Sequence, residues 1–263
     1  MPSPPRDRLI RRDRLLMGVG LAVTTILAWA YLLRAAAAMH VMTAGAPAAL
    51  RMADQRVWGP SDWFGLFAMW TVMMAAMMLP SAAPVVMSVL GVYQGRNDGQ
   101  AQLASAAFVS GYLAAWTMFS LAASAGQFAL HRATLLGADM RVGSAALSGV
   151  VLLLAGLYQW LPLKNLCLTH CQAPLDALSR HWREGPGGGF IMGVRHGLFC
   201  VGCCWLLMTL LFVVGVMNLL WVAILAVFVL IEKLAPRGAL FGRVAGIAAA
   251  AWGVYLLVTG VRS

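Results

Sequence analysis

The sequence predicts an all-α protein, a polytopic transmembrane bundle of about seven spans with its N-terminus inside. Three observations lead there. Of 263 residues, 61% are apolar and 11% are charged, less than half the share of about 25% in an ordinary soluble domain. Mean hydropathy is +0.80. The apolar residues gather in runs near the length of about 20 residues that a helix needs to cross a bilayer. A soluble fold of this size would need more polar residues to cover its surface. A cytosolic globular enzyme, a disordered regulator and a disulfide-rich secreted module are therefore excluded.

The runs fall at residues 15–33, 63–83, 103–125, 145–161, 197–214, 216–232 and 244–261. The fifth and sixth are joined by Gly215 to Asn218, short enough for an antiparallel hairpin. Cleavage of the first run as an export signal would leave six. A retained signal anchor explains the same N-terminal arginines and is the reading adopted. The chain then divides into a basic cytoplasmic tail, residues 1–14, and a single helical membrane domain, residues 15–263.

Net charge is +10, with 17 Arg and 2 Lys. In a soluble protein that balance would suggest nucleic acid, but here the cations lie between apolar runs, where they set topology. An N-in arrangement puts 13 of them, from Arg6 to Arg243, inside and 6, from Arg34 to Arg262, outside. Heavy Arg and Ala use fits a high-GC bacterial genome. The expected location is a bacterial inner membrane, crossed several times, with the lipid bilayer as a partner and no nucleic acid.

All five cysteines lie between residues 167 and 204, in the groups Cys167-Leu-Thr-His170-Cys171 and His196-Gly-Leu-Phe-Cys200-Val-Gly-Cys203-Cys204. The surroundings of the second group demand a helix. At about 100° per residue, Cys200, Cys203 and Cys204 fall about +40°, −20° and +80° from His196, on one stripe. Cys167 and Cys171, spaced i, i+4, share a face if helical, and His170 flanks it. Pro162 and Pro174 bracket this segment, which should be a short helix kinked away from the fourth run. Both groups land on the cytoplasmic side by the charge count, within a Cys-containing segment at 162–204.

Thiolate and imidazole are ligands of zinc, copper(I) and iron–sulfur centres. Two cysteine pairs on neighbouring helices could supply four ligands, for example Cys167, Cys171, Cys200 and Cys204, with His196 or Cys203 competing. The spacing matches neither the common zinc-finger patterns nor a ferredoxin run. Met69, Met73 and Met77 form an i, i+4 stripe before Pro80, and Met74 with Met78 forms a second. Alone, these read as adaptable packing beside a kink. Met77 and Met78 lie toward the cytoplasmic end of the run, at the depth expected for the thiols, and thioether is a soft donor that favours copper(I) over zinc, with Met73 and Met77 as candidate ligands.

Glu232-Lys233 ends the sixth run. Lys233 can snorkel to the interface, and Glu232 can pair with Arg195 or orient His196. Asn218 caps the hairpin. Gly242 and Gly246 form a small-x-x-x-small packing face. His40 with Met39 and Met42, His131 and His181 read as loop or interface histidines. Gly185-Pro-Gly-Gly-Gly189 reads as a flexible joint that lets the two thiol groups approach or separate.

Met69 to Pro80, Pro162-Leu-Lys164 with Cys167 and Cys171, Gly202-Cys-Cys-Trp-Leu-Leu-Met208, Gly215-Val-Met-Asn218 and Glu232-Lys233 together resemble an uncharacterised bacterial family of predicted metal-binding integral membrane proteins. The resemblance covers roughly residues 60–240. It implies a metal site, carried here by Cys167, Cys171, Cys200, Cys203 and Cys204.

The function expected is a membrane metal-binding protein handling a soft metal, copper(I) before zinc, exchanged with a donor or acceptor protein. A membrane thiol–disulfide redox protein is the alternative, since Cys200 and Cys203 form a C-x-x-C pair. A metal transporter using the Met stripe is the second alternative. No Ser-His-Asp set, P-loop or paired carboxylates point to an enzyme.

Overall fold

The computed structural model describes residues 4–45, 59–96, 99–136, 143–173 and 182–260, with side chains of the first helix described from Ile10 to Ala38. The described residues form helices and no strand: α1 Pro4–Gly45, α2 Pro60–Gly95, α3 Ala101–Arg132, α4 Ala145–Tyr158, α5 Pro162–Gln172, α6 Gly185–Thr209, α7 Leu211–Val214, α8 Leu219–Leu234 and α9 Gly238–Gly260. Helices α1, α2, α3, α6 and α9, with the α7 turn continuing α6, give five that are long and apolar enough to cross a membrane. Counting the bent pair α4–α5 as one span makes six. By length and composition, the described residues thus give five or six of the about seven spans expected. The shortfall is at the expected sixth run, which is the 16-residue α8. The expected kink at Pro162 is present, with α5 leaving the axis of α4 at 63°.

Local chemistry explains the element ends. Pro60 opens α2, where it needs no N–H partner, and Asp62 Oδ2 reaches back to accept the Gly59 N–H at 2.8 Å. The same helix runs on through Pro80 and Pro84. Pro80 has no N–H to offer the Ala76 carbonyl four residues back. Trp29 of α1 supplies one instead, its indole N–H donating to Ala76 O at 3.2 Å. A proline break in one helix thus becomes a tie to the next. At the α7–α8 hairpin Gly215 takes φ 99°, a left-handed conformation that favours glycine. Asn218 sits at the N-cap of α8, as expected for a hairpin cap. Its backbone carbonyl accepts from Trp221 and Val222, with no side-chain cap bond.

Two close helix pairs set the frame. On α6, Gly189, Gly193 and Gly197 present backbone to the Ala104, Phe108 and Tyr112 backbone of α3. Gly111 of α3 meets Phe190 and Val194 of α6 in return. In the second pair, Gly149 and Gly156 of α4 lie against Gly253 and Gly246 of α9; of the two glycines expected to form a packing face, Gly246 meets the α4 backbone and Gly242 meets the Glu232 carboxylate. Without a hydrophobic driving force in lipid, such close backbone approach is what holds spanning helices together.

The glycine-rich segment 185–189 differs from expectation. It is the first turn of α6 and not a joint. A Cβ at Gly189 would overlap the Ala104 carbonyl, so glycine is there for helix contact. The consequence is positional. With α6 beginning at Gly185, the His196–Cys204 stripe lies inside the helix and not at its end. Large aromatic side chains fill the interior beside it: Trp70, Phe108, Tyr112 and Trp116 are buried, and Trp70 Nε1 donates to Gln127 Oε1 at 2.6 Å. The outer faces carry Ile26, Met118, Leu154, Ile247 and Trp252, all exposed.

Candidate thiol site

The stripe on α6 faces inward as the 3.6-residue period requires, with His196, Cys200, Cys203 and Cys204 all buried. Cys171 comes to them from α5, where the turn that begins at Pro162 ends. It is buried in the same core as Cys200, Cys203 and Cys204. Cys203 and Cys204 have their sulfurs 3.1 Å apart, and the Cys203 thiol also donates to the Cys200 carbonyl at 3.1 Å. Among the described residues, Cys171 of α5 and Cys200, Cys203 and Cys204 of α6 are thus buried in one core. All five cysteines are free thiols.

Cys167 stands to one side. It is half-buried, and a Cβ on Gly202 would come within 2.9 Å of its Sγ. The Gly202 carbonyl there accepts a hydrogen bond from Tyr158 of α4. His170 stacks on Phe199 at 4.1 Å and 11°, with Nδ1 on the Leu166 carbonyl at 2.8 Å. His196 lies between the rings of Phe108 and Tyr112, at 5.8 and 5.9 Å. Met73 and Met77 are buried in the core that also holds Cys171 and the three α6 thiols. The thioether directly beside the polar centre is that of Met78, on the second stripe. His131 lies in the last turn of α3. The side chains of Met39, His40 and Met42, and all of His181, lie outside the described residues.

The residues at the centre that the sequence did not single out are Tyr112 and Ser81, with Lys233 in an unexpected orientation. Lys233 is 5% exposed and does not snorkel. Its Nζ donates to Cys200 Sγ at 2.8 Å and Ser81 Oγ at 3.2 Å, and lies 3.9 Å from Met78 Sδ. The Tyr112 hydroxyl shares a hydrogen bond with Cys200 Sγ at 3.0 Å and donates to the Met78 carbonyl at 3.3 Å. Cys200 is the hub, bonded to Tyr112 of α3 and Lys233 of α8, which in turn reach Met78 and Ser81 of α2.

Glu232 also departs from expectation. It pairs with neither Arg195 nor His196. Its Oε1 is 2.6 Å from Lys164 Nζ, both side chains being 1% exposed. Lys164 also donates to Gln159 Oε1. Gly242 of α9, lacking a Cβ, leaves the space that the Glu232 carboxylate fills. Gln172 Nε2 donates to the Glu232 backbone carbonyl at 2.9 Å and ties α5 to α8. Adjacent residues of α8 thus serve two separate polar centres. Glu232 closes an ion pair with Lys164, while Lys233 enters the thiol cluster.

Chemically, the centre offers soft sulfur donors in a dry setting, a donor set that suits copper(I), zinc and iron–sulfur centres. Among the described residues no three His, Cys, Asp or Glu side chains stand as a ready ligand set for a metal ion. The thiols hydrogen-bond to one another instead. Two of them, with a thioether nearby, suffice for copper(I), which accepts two-coordinate thiolate ligation.

What the fold and centre define together is a helical protein of membrane-length apolar helices whose core buries cysteines from two helices. The chain belongs to the PpoB2 family, described as copper chaperones, whose model matches residues 67–256. That range takes in α2, both thiol-bearing helices and Lys233. No curated protein and no solved structure matches the chain.

Proposed function

We propose that this protein is a multi-pass membrane copper chaperone that takes up copper(I) on the buried thiols Cys171, Cys200, Cys203 and Cys204 and passes it to an acceptor protein. What supports the reading is the burial of α5 and α6 cysteines in one core of a member of a copper-chaperone family. Copper enters and leaves as copper(I), so no electron is transferred; each cysteine that ligates as thiolate gives up its thiol proton to solvent on loading and regains it on release. Cys200, at the hub, is the first ligand. Cys171, from the other helix, is the second, which makes the site a clasp between α5 and α6. Cys203 and Cys204 give the metal neighbouring sulfurs to move between, and exchange between thiolates is how a bound soft ion is handed on. Met78, Met73 and Met77 supply a thioether wall. Cys167 and His170 lie at the flank of the clasp, where copper could arrive or depart. His196 packs the centre between two aromatic rings. The bilayer is the solvent of the outer faces.

The test is metal content of anaerobically purified protein, wild type beside a Cys200→Ser, Cys204→Ser double variant. Wild type is expected to hold about one copper(I) per chain under this reading, and the double variant to lose it. Full occupancy in the double variant would end the proposal and return the thiols to the redox alternative.

A further inference from the structure

Lys233 carries a consequence beyond a list of sulfur ligands. We propose that its ammonium is the fixed positive charge that balances a two-thiolate copper(I) complex, and that it thereby selects a monovalent over a divalent soft metal. The inference rests on the reading of the thiols as the copper site.

The argument is one of charge in a dry interior. Lys233 is buried, and its Nζ points at Cys200 Sγ, with Ser81 Oγ and Met78 Sδ as its other neighbours. From the elements around it, α3 presents Tyr112, α5 presents Cys171, and α6 presents its three cysteines and His196. The carboxylate next in sequence, Glu232, is turned to Lys164, and that pair is neutral as a unit. Among the described residues Lys233 forms no carboxylate ion pair. The thiol cluster therefore sees one net positive charge from the protein.

A net charge in low dielectric is costly, so the loaded centre is most stable when its charges sum to zero. Copper(I) with two thiolates carries one negative charge, and the Lys233 ammonium cancels it. Zinc(II) with two thiolates is already neutral, and the same ammonium leaves it positive. One side chain thus favours the monovalent complex and disfavours the divalent one. The position is built for the task. A lysine near a helix end ordinarily reaches for the interface, and this one is held inward by a hydroxyl and two sulfurs.

The test uses the full chain in lipid nanodiscs. Copper(I) affinity is read anaerobically against a chromophoric copper(I) chelator, and zinc(II) affinity against a fluorescent zinc chelator. Lys233→Met is expected to weaken copper(I) binding by about 100-fold, the scale of losing one partner of a buried charge pair, while zinc(II) binding is unchanged or tighter. Lys233→Arg, which keeps the charge, is expected to retain copper(I) to within about tenfold. Unchanged copper(I) affinity in Lys233→Met overturns the proposal. So does an equal loss of both metals, or a Lys233→Arg variant as weak as Lys233→Met, because each marks a structural role. Failure of the wild type to bind copper(I), or full binding by the Cys200→Ser, Cys204→Ser variant, overturns the thiol-site reading itself, whatever the lysine variants do.

Discussion

The chain has two lysines among its 19 basic side chains, and both are buried. Arginine carries the rest. That division of labour has a physical basis, because an ammonium is compact enough to be enclosed by a few acceptors where a guanidinium needs a planar fork of five. The composition therefore held a signal for the polar centre, and counting charge by loop concealed it. Lys164 and Glu232 illustrate the energetics. With both side chains enclosed, removing one partner leaves the other charged in an apolar setting, whereas removing both does not. Glu232→Gln is accordingly expected to lower stability by about 3–5 kcal/mol. A Lys164→Met, Glu232→Leu double variant should recover most of that loss. Unfolding of the detergent-solubilised protein measures both. Equal destabilisation by the single and double variants would show that the pair is not held by charge compensation.

At the scale of the element, sequence pattern served where a period was the signal and misled where a propensity was. The α6 stripe follows from spacing alone, and its four inward side chains are the ones the helical wheel selects. The bend before α5 follows from Pro162. Gly185 to Gly189 was illegible for a definite reason: glycine disfavours helix in water by about 1 kcal/mol relative to alanine, yet it is what a close helix pair in lipid requires. The partner that explains it, Ala104, lies in another run with no mark in its own sequence. Which thioether meets the ammonium was likewise unreadable, since α2 presents two Met stripes and only the approach of α8 chooses Met78. The α3–α6 contact gives an element-scale expectation. A Cβ at Gly193 would overlap the Phe108 carbonyl, so Gly193→Val should force the helices apart. Overpacking of this kind costs about 1–3 kcal/mol or more. Because Tyr112 and Cys200 sit on the two helices being separated, copper(I) binding should fall with stability. Gly187→Val, where nothing lies within 4 Å of an added Cβ, is the control expected to leave both unchanged. A Gly193→Val protein as stable as wild type would mean the helices are not held at backbone contact.

For the whole molecule, burial of the two lysines alters how topology is read. Both were among the 13 inside cations, so the count that bears on orientation is 13 − 2 = 11, against 6. The bias keeps its sign and now rests on arginine alone. What length leaves open is the number of crossings. The 16 residues of α8 rise about 24 Å and the 14 of α4 about 21 Å, both short of a hydrocarbon core of about 30 Å. Each short helix has a means of crossing nonetheless: α4 continues through its bend into α5, and α8 is preceded by the α7 turn and Gly215. The expected seven-span arrangement has α8 crossing as well as α4. Lys233 meets Ser81 and Met78, which lie midway along the 36-residue α2, so the end of α8 reaches well inside the bundle. With both short helices crossing, the termini fall on opposite sides, N-terminus inside and C-terminus outside. Loss of one crossing would bring the C-terminus inside. Reporter fusions separate the cases. A phosphatase fused after Ser263 should be active and a fluorescent protein fused there dark, while fusions ending just after Gly95 should show the reverse. A fluorescent C-terminal fusion would show that one of the two short helices enters the membrane and returns, and the thiol cluster would then lie beside a re-entrant segment open to one face.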